Sequence, residues 1–473
     1  MRLKEKHFII FFLAGLFIFF GILVIYSEAA YGGSDNYSHF RISKYAFKYP
    51  QLLLDHWGKP LFTILSAPFA QFGFKGLQFF NVIAGLLTAL FAYLTLKKLE
   101  FKNAWLVIFF ICFAPIYFIL MPSGLTEILF GLILVFATYL FFNQHFNAAS
   151  IVVSFILFSR TEGFIFIPLF LLVFILEKKF KAIPFLLTGF LVFSILGFFI
   201  LDDFWWFFTQ NPYAGKSGVY GSGELTHFLE QTKNINGIPL AVVFFIGILS
   251  YVVDLIQNKQ LPKSFYHEII LIFLGYMAYF AAHSLVWWKG EGGSAGLIRV
   301  MAAVMPLAAI VSLRGFNLIY QLLKFNQFAQ YGVLLAFLFI VIRTPFQLFD
   351  VPVQRDAREK TIHEAAEWLK SSKYYDQKIY YYDTYFCHEL DIDPFDKQRC
   401  NERVHSIKNP GKDILAGSIV QWDAHFGPER NLPLDSLMNQ PDFKTLKEFH
   451  PDQNFKTYAG NNYEVFIFQK IDE

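Results

Sequence analysis

Asp35 stands in the run Tyr31-Gly32-Gly33-Ser34-Asp35-Asn36-Tyr37, just after the first long apolar stretch of the chain. A carboxylate held at a membrane surface by a glycine-rich turn is a candidate general base for a substrate presented by the lipid phase. Other ionisable residues fall at comparable places. His39 and Arg41 follow Asp35, and Asp55-His56-Trp57-Gly58-Lys59-Pro60 lies further along the same loop. Glu127 follows Pro122-Ser123-Gly124-Leu125-Thr126, and Arg160 and Glu162 sit in Ser159-Arg160-Thr161-Glu162-Gly163. His283, Lys289, Glu291 and Arg299 flank Trp287-Trp288-Lys289-Gly290-Glu291-Gly292-Gly293-Ser294. Each residue taken singly has an ordinary structural reading. A loop aspartate caps a helix or solvates a turn, and Glu127 is equally read as a cap. Arg160 and Glu162 could pair at a tight hairpin, and Lys289 with Glu291 could be an exposed pair of little energetic weight. His56 could be a hydrogen-bonded loop histidine and His283 a core histidine. Taken together, they deliver acids and bases from distant segments to one plane.

The elements that must position them are membrane helices. The chain has 473 residues, 55% hydrophobic and only 16% charged, where soluble domains run nearer a quarter charged. Several apolar runs approach the roughly 20 residues that cross a bilayer core. Spans are expected near 8–26, 76–96, 104–120, 125–142, 147–159, 162–176, 183–201, 238–256, 267–287, 298–313 and 328–346, about eleven in all. The first is read as a retained helix rather than a signal peptide, being long for one and followed by a poor cleavage site. With the N-terminus in the cytoplasm, Lys and Arg are about three times denser in the inner segments than in the outer ones, as the positive-inside rule requires. Lys97-Lys98 and Lys178-Lys179 are the inner anchors. All the residues above then lie at the outer ends of helices. The net charge of +3 gives no reason to expect nucleic acid.

The first outer loop is patterned. Residues 36–49 read as an amphipathic helix with Phe40, Ala46 and Phe47 on one side and Arg41, Lys44 and Lys48 on the other. Residues 60–72 read as a second helix, apolar and too short to cross, and such helices lie in the interface plane. Asp202-Asp203-Phe204-Trp205-Trp206-Phe207-Phe208 suits an interfacial aromatic belt. The stretch Gly215 to Gly223 is read as a flap or a plain loop. From Asp350 the composition becomes charged, with a helical run Ala357 to Lys370 and strand-like runs Lys378–Tyr382, Gly417–Trp422 and Tyr463–Phe468. The expected division is therefore a helical membrane domain over 1–347 and a small extracytoplasmic α/β domain over 348–473. Cys387 and Cys400 fall in the latter, where an oxidising compartment permits a disulfide, and Cys112 sits in an apolar helix. Walker A, Gly-x-Gly-x-x-Gly, Cys-x-x-Cys and His-Glu-x-x-His signatures are absent from the sequence.

This layout and several of its strings resemble the GT-C superfamily of integral-membrane glycosyltransferases, and among them the bacterial protein mannosyltransferase and aminoarabinose transferase type. Asp35 matches the catalytic aspartate of the first outer loop, and 36–49 with 60–73 match the two juxtamembrane helices. His56-Trp57-Gly58-Lys59-Pro60-Leu61 resembles the entry to the second of these. Thr126-Glu127, Arg160-Thr161-Glu162-Gly163 and Arg299-Val300 through Met305-Pro306-Leu307 resemble later motifs, with Val300 in place of an aromatic. The resemblance implies transfer of a sugar, a mannose-like hexose or a pentose, from a polyprenyl-phosphate donor to an acceptor hydroxyl on a lipid, glycan or protein at the outer face, with inversion. Asp35 is then the general base. Arg160, Lys59, Lys289 and Arg299 are candidates for the donor phosphate, and Glu127, Glu162, Glu291, His56 and His283 for orienting cations or acceptor. No metal is required by this chemistry, although an acid cluster near phosphate can recruit a divalent ion. The competing readings are a transporter or flippase of lipid-linked or small substrates and a non-catalytic envelope protein.

Overall fold

A computed structural model describes residues 3–212, 220–257, 260–322, 327–412 and 414–471. The expected flap thus falls largely on 213–219, outside the described residues. Among those described, seven helices are long and apolar enough to cross a membrane: Glu5–Tyr26, Gly73–Lys98, Phe180–Leu201, Ile238–Gln257, Lys263–Lys289, Ile298–Leu322 and Gln327–Leu348. This is an integral membrane protein. Three further expected spans are the shorter apolar helices Glu127–Phe142, Phe146–Phe158 and Thr161–Leu176. The run 104–120 is not one helix but two, Leu106–Cys112 and Pro115–Leu120. Pro115, at the first turn of the second, has no N–H to continue the first. Apart from a partly exposed Phe109 both pieces are buried, so the break is enclosed by protein rather than lipid.

Helices Ile238–Gln257 and Ile298–Leu322 touch backbone to backbone. A Cβ on Gly315 would lie 1.9 Å from the Val243 carbonyl oxygen, and one on Gly247 would lie 2.1 Å from that of Val311. Glycines at both contacts permit this approach, as is common where lipid supplies no hydrophobic drive.

The loop after α1 (Leu3–Tyr26) forms α2 (Ser34–Tyr45), a one-turn helix Pro50–Leu54, and α3 (Pro60–Ala70), followed by α4 (Gly73–Lys98). Proline opens both Pro50–Leu54 and α3, where its fixed φ suits the first turn. The C-terminal part holds a five-stranded sheet in the order β2-β1-β3-β5-β4, with β1 at Ile379–Tyr381, β2 at Cys400–Glu402, β3 at Ile419–Asp423, β4 at Phe443–Phe449 and β5 at Val465–Lys470. β1 pairs parallel with β2 and β3, whereas β5 is antiparallel to β3 and β4. The three strand-like runs in the sequence are β1, β3 and β5; β2 and β4 carried no comparable pattern. Helix Ala357–Ser371 begins with a capping box between Asp356 and Glu359. Cys387 and Cys400 are buried free thiols, as is Cys112; the first two are in mutual contact.

α2 joins the two parts. Ser34, Ser38, Arg41 and, just past the helix, Lys48 bond to the sheet domain through Asp383, Thr384, Tyr381 with Glu402, and Asp393. Their spacing of three, four or seven residues makes them one helical face. Tyr37 enters the sheet domain's core, 4.5 Å from Tyr385 and 4.8 Å from His388 between ring centroids. Ser43 meets Ser66 of α3 at 2.8 Å on the other side.

Candidate active site

The turn before α2 requires glycine at Gly32, whose φ is +125° and whose added Cβ would lie 2.5 Å from Asn36 Oδ1 and 2.6 Å from Leu125. Asn36 secures the same turn by donating to the carbonyls of Ala30 and Tyr31. Asp35 emerges in the first turn of α2 and bonds to the Arg299 guanidinium, which also donates to the Gly32 carbonyl at 3.0 Å.

From Asp35 the charges alternate inward. Arg299 Nε lies 3.8 Å from Glu127 Oε1, which is 2.8 Å from Arg160 Nη1. Arg160 Nη2 donates to Glu162 Oε1 at 2.7 Å and its Nη1 to Thr126 at 3.1 Å. His283 Nε2 is 3.7 Å from Glu162. Residues from α2 and the helices starting at Glu127, Thr161, Gly275 and Ile298 thus form one chain, Asp35–Arg299–Glu127–Arg160–Glu162–His283. Exposure grades its carboxylates: the Asp35 side chain is 31% exposed, that of Glu162 23% and that of Glu127 only 2%. Asp35 is the most exposed of the three and keeps a buried electrostatic backing. Glu127 Oε2, Arg299 Nε and His283 Nε2 are buried without a hydrogen-bond partner, a shortage that a polar ligand would relieve.

Burial opposes ionisation of Asp35, but the Arg299 guanidinium, helped by Arg358, outweighs it and holds the carboxyl below its usual range. His39, buried beside it, is pushed down to about 3 by loss of water, and is therefore neutral at physiological pH. Lys59 stands at the N-cap of α3 with φ 60°. Burial brings its ammonium down to about 8, against the pull of Glu162, so it faces the same chain as a titratable cation.

Other expected residues lie elsewhere. His56 packs on Trp206 and Phe207, with Nε2 3.4 Å from the Trp206 carbonyl oxygen. Asp55 accepts from the Gly58 N–H at 2.6 Å and so holds the loop. Lys289 and Glu291 are exposed around the turn at Gly290, and no ion pair among the described residues ties them to the chain. The sheet domain adds groups that no sequence pattern marked. Arg358 and Asp383 reach Ser34, next to Asp35. His425 is 5.8 Å from Tyr458 between ring centroids, which is 5.9 Å from Tyr220.

No family model matches this chain, and no curated protein matches it. Solved structures match it along nearly its whole length, two of them of one protein. ArnT from Cupriavidus metallidurans in the apo state has a TM-score of 0.58 and 11% identity, covering 98% of each chain. The same protein bound to undecaprenyl phosphate has a TM-score of 0.56 and 10% identity, again covering 98% of each. The chain therefore shares the fold of ArnT, a helical membrane part carrying a small C-terminal sheet domain.

Proposed function

We propose that this protein is a membrane glycosyltransferase that takes its sugar from a polyprenyl-phosphate donor. The observation that carries this reading is a partly exposed aspartate at the end of a buried arginine–glutamate chain, on a fold it shares with a protein that binds undecaprenyl phosphate. On this reading Asp35 takes the proton of an acceptor hydroxyl as that oxygen attacks the anomeric carbon. The bond from that carbon to the phosphate oxygen breaks, polyprenyl phosphate leaves with an added negative charge, and the configuration inverts.

A carboxylate bonded to arginine is a poor base, and the chain offers a way out. Arg299 lies between Asp35 and Glu127, so an incoming phosphate that draws the guanidinium towards itself and Glu127 releases Asp35. Arg160 and Lys59 supply further charge for the leaving phosphate. Glu162 and His283 orient Arg160. Lys289, Glu291 and His56 fall outside this arrangement. Asp35, Glu127 and Glu162 each lie against an arginine, so a divalent ion would have to displace a guanidinium, and we read the transfer as metal-independent.

The site faces the extracytoplasmic side, with the N-terminus inside, because the basic segments 97–98 and 178–181 mark the other face. Purified protein incubated with a panel of polyprenyl-phosphate sugars, with release of polyprenyl phosphate scored, tests the reading. Release with at least one donor, retained in EDTA and lost in Asp35→Asn, is expected. Equal release by the Asp35→Asn protein would remove the base. Labelling of position 35 from the cytoplasmic side would overturn the orientation.

A further inference from the structure

We infer that Asp383 and Arg358 of the sheet domain are positioning residues for Asp35, acting through Ser34. This rests on the reading of Asp35 as the base.

The sheet order places β1 between β2 and β3, both parallel to it. The chain leaves the carboxyl end of β1 towards β2 and that of β3 towards β4, on opposite sides, which opens a crevice between β1 and β3 of the kind where open parallel sheets take ligands. Asp383 lies just beyond β1 and Asp423 ends β3, both fully buried. Gln421 braces them, accepting from the Asp383 N–H at 3.2 Å and donating to Asp423 at 3.1 Å. What enters the crevice is the start of α2. Ser34 Oγ donates to Asp383 Oδ1 at 2.7 Å and lies 2.7 Å from Arg358 Nη1, which also bonds Asp383. Thr384 Oγ1 donates to the Ser34 carbonyl at 3.1 Å.

Local structure gives the Ser34 side chain nothing equivalent. The N-cap of α2 is Gly33, at φ 68°, with no side-chain cap bond, and the local ties of the first turn are those of Asn36 to the Ala30 and Tyr31 carbonyls and of Ser38 Oγ to the Ser34 carbonyl. Ser34, adjacent to Asp35, is held instead by residues some 350 positions away in sequence. Removing that grip loosens the turn that aims the carboxylate and leaves it to Asn36 and Arg299. The charged and titratable groups facing Asp35 are Arg299, His39 and Arg358, with Tyr220 and His425 across from it. Arg358 is the one of these that the sheet domain both supplies and neutralises, through Asp383.

The test uses the full-length protein in membranes or detergent, with Ser34→Ala, Asp383→Asn, Arg358→Met and Asp35→Asn measured per folded molecule. Ser34→Ala is expected to lower kcat about tenfold and Asp383→Asn on the order of 10²-fold, the scale of an ångström-size misplacement. Affinity for polyprenyl phosphate stays within about twofold. The acid limb of kcat/KM should move up in Arg358→Met, which loses a positive charge near Asp35. It should move down in Asp383→Asn, which leaves that charge uncompensated. A purely structural bond would lower folded yield and leave both kcat and the pH profile of the folded protein unchanged. Should Asp383→Asn not fold, Ser34→Ala, which loses one hydroxyl, still decides. Inactive Asp35→Asn beside wild-type kinetics in the other three overturns the inference alone. A fully active Asp35→Asn overturns the base assignment and the inference with it.

Discussion

Arg299 and Arg314 lie on one helical segment, Ile298–Leu322, about 22 Å apart by the rise of a helix. Both are largely buried, and both meet two carboxylates. Around Arg314 the set is closed. Its guanidinium bonds Asp254 and both oxygens of Glu268, at 3.1 and 3.3 Å. Tyr251 donates to Glu268 at 2.7 Å, and its ring covers the guanidinium at 4.3 Å, with Phe265 at 5.1 Å. Only Arg314 Nε is left over. Around Arg299 the set is open. Glu127 Oε2, Arg299 Nε and His283 Nε2 lack hydrogen-bond partners, and a lysine that titrates near physiological pH stands close by. A cluster that exists to hold helices together uses nearly all its bonds and covers its cation with aromatic rings. One that must receive a ligand keeps some unmade.

The largest expected effect lies at the open cluster. Asp35→Asn should reduce kcat on the order of 10²- to 10⁴-fold, the range of a positioned general base, while the protein still inserts and binds donor. Undiminished transfer would make the two clusters equivalent and end the contrast.

Arg314→Met should act the other way. It strands Glu268 in the interior and so costs about 3 kcal/mol of stability, read as a fall in the detergent-state thermal midpoint. Transfer per folded molecule should change by no more than about twofold, as expected away from a site. Lost activity at unchanged stability would show that the closed cluster is not structural.

Arg160→Ala should weaken binding of polyprenyl phosphate by about tenfold or more, the worth of a charge-assisted hydrogen bond. Arg160→Lys should recover part of this, because it restores charge but not the paired donors. Unchanged donor affinity in Arg160→Ala would remove it from the phosphate site. Lys59 adds a pH signature. Its ammonium, lowered to about 8 by burial, loses its proton as pH rises through that value, so donor affinity should fall above it. Lys59→Arg should flatten that dependence, since a guanidinium stays charged.

The division between the two clusters was only partly legible in the sequence. Asp35, Glu127, Arg160, Glu162 and Arg299 were visible as charges at the ends of apolar runs, where their cost to the membrane marks them. The runs also announced the helices, and short strand-like runs announced β1, β3 and β5. Asp383 and Arg358 were not visible, because charge is unremarkable in a polar domain until its burial is known. β4 was hidden by Lys444, Lys447 and Glu448 on an edge strand, where exposed charge is ordinary. The break at Pro115 needed the surrounding helices to show that an interrupted span was enclosed.

The smallest expected effect bounds the open cluster. Lys289 ends the helix before Gly290, which turns the chain at φ 66°. A lysine there complements the helix dipole, for about 0.3–1 kcal/mol, and being exposed it is screened by salt. Arg299, at the far end of the same turn, is buried and bonded to Asp35. Lys289→Ala and Glu291→Gln should therefore leave donor affinity and kcat within about twofold, whereas Arg299→Ala changes both, because it strips Asp35 of its partner and the phosphate of a cation. A loss in Lys289→Ala matching that of Arg160→Ala would mean that the turn folds inward when donor binds. The cluster would then be open not only in its unmade bonds but in its membership, with a cation recruited from solvent by the ligand itself.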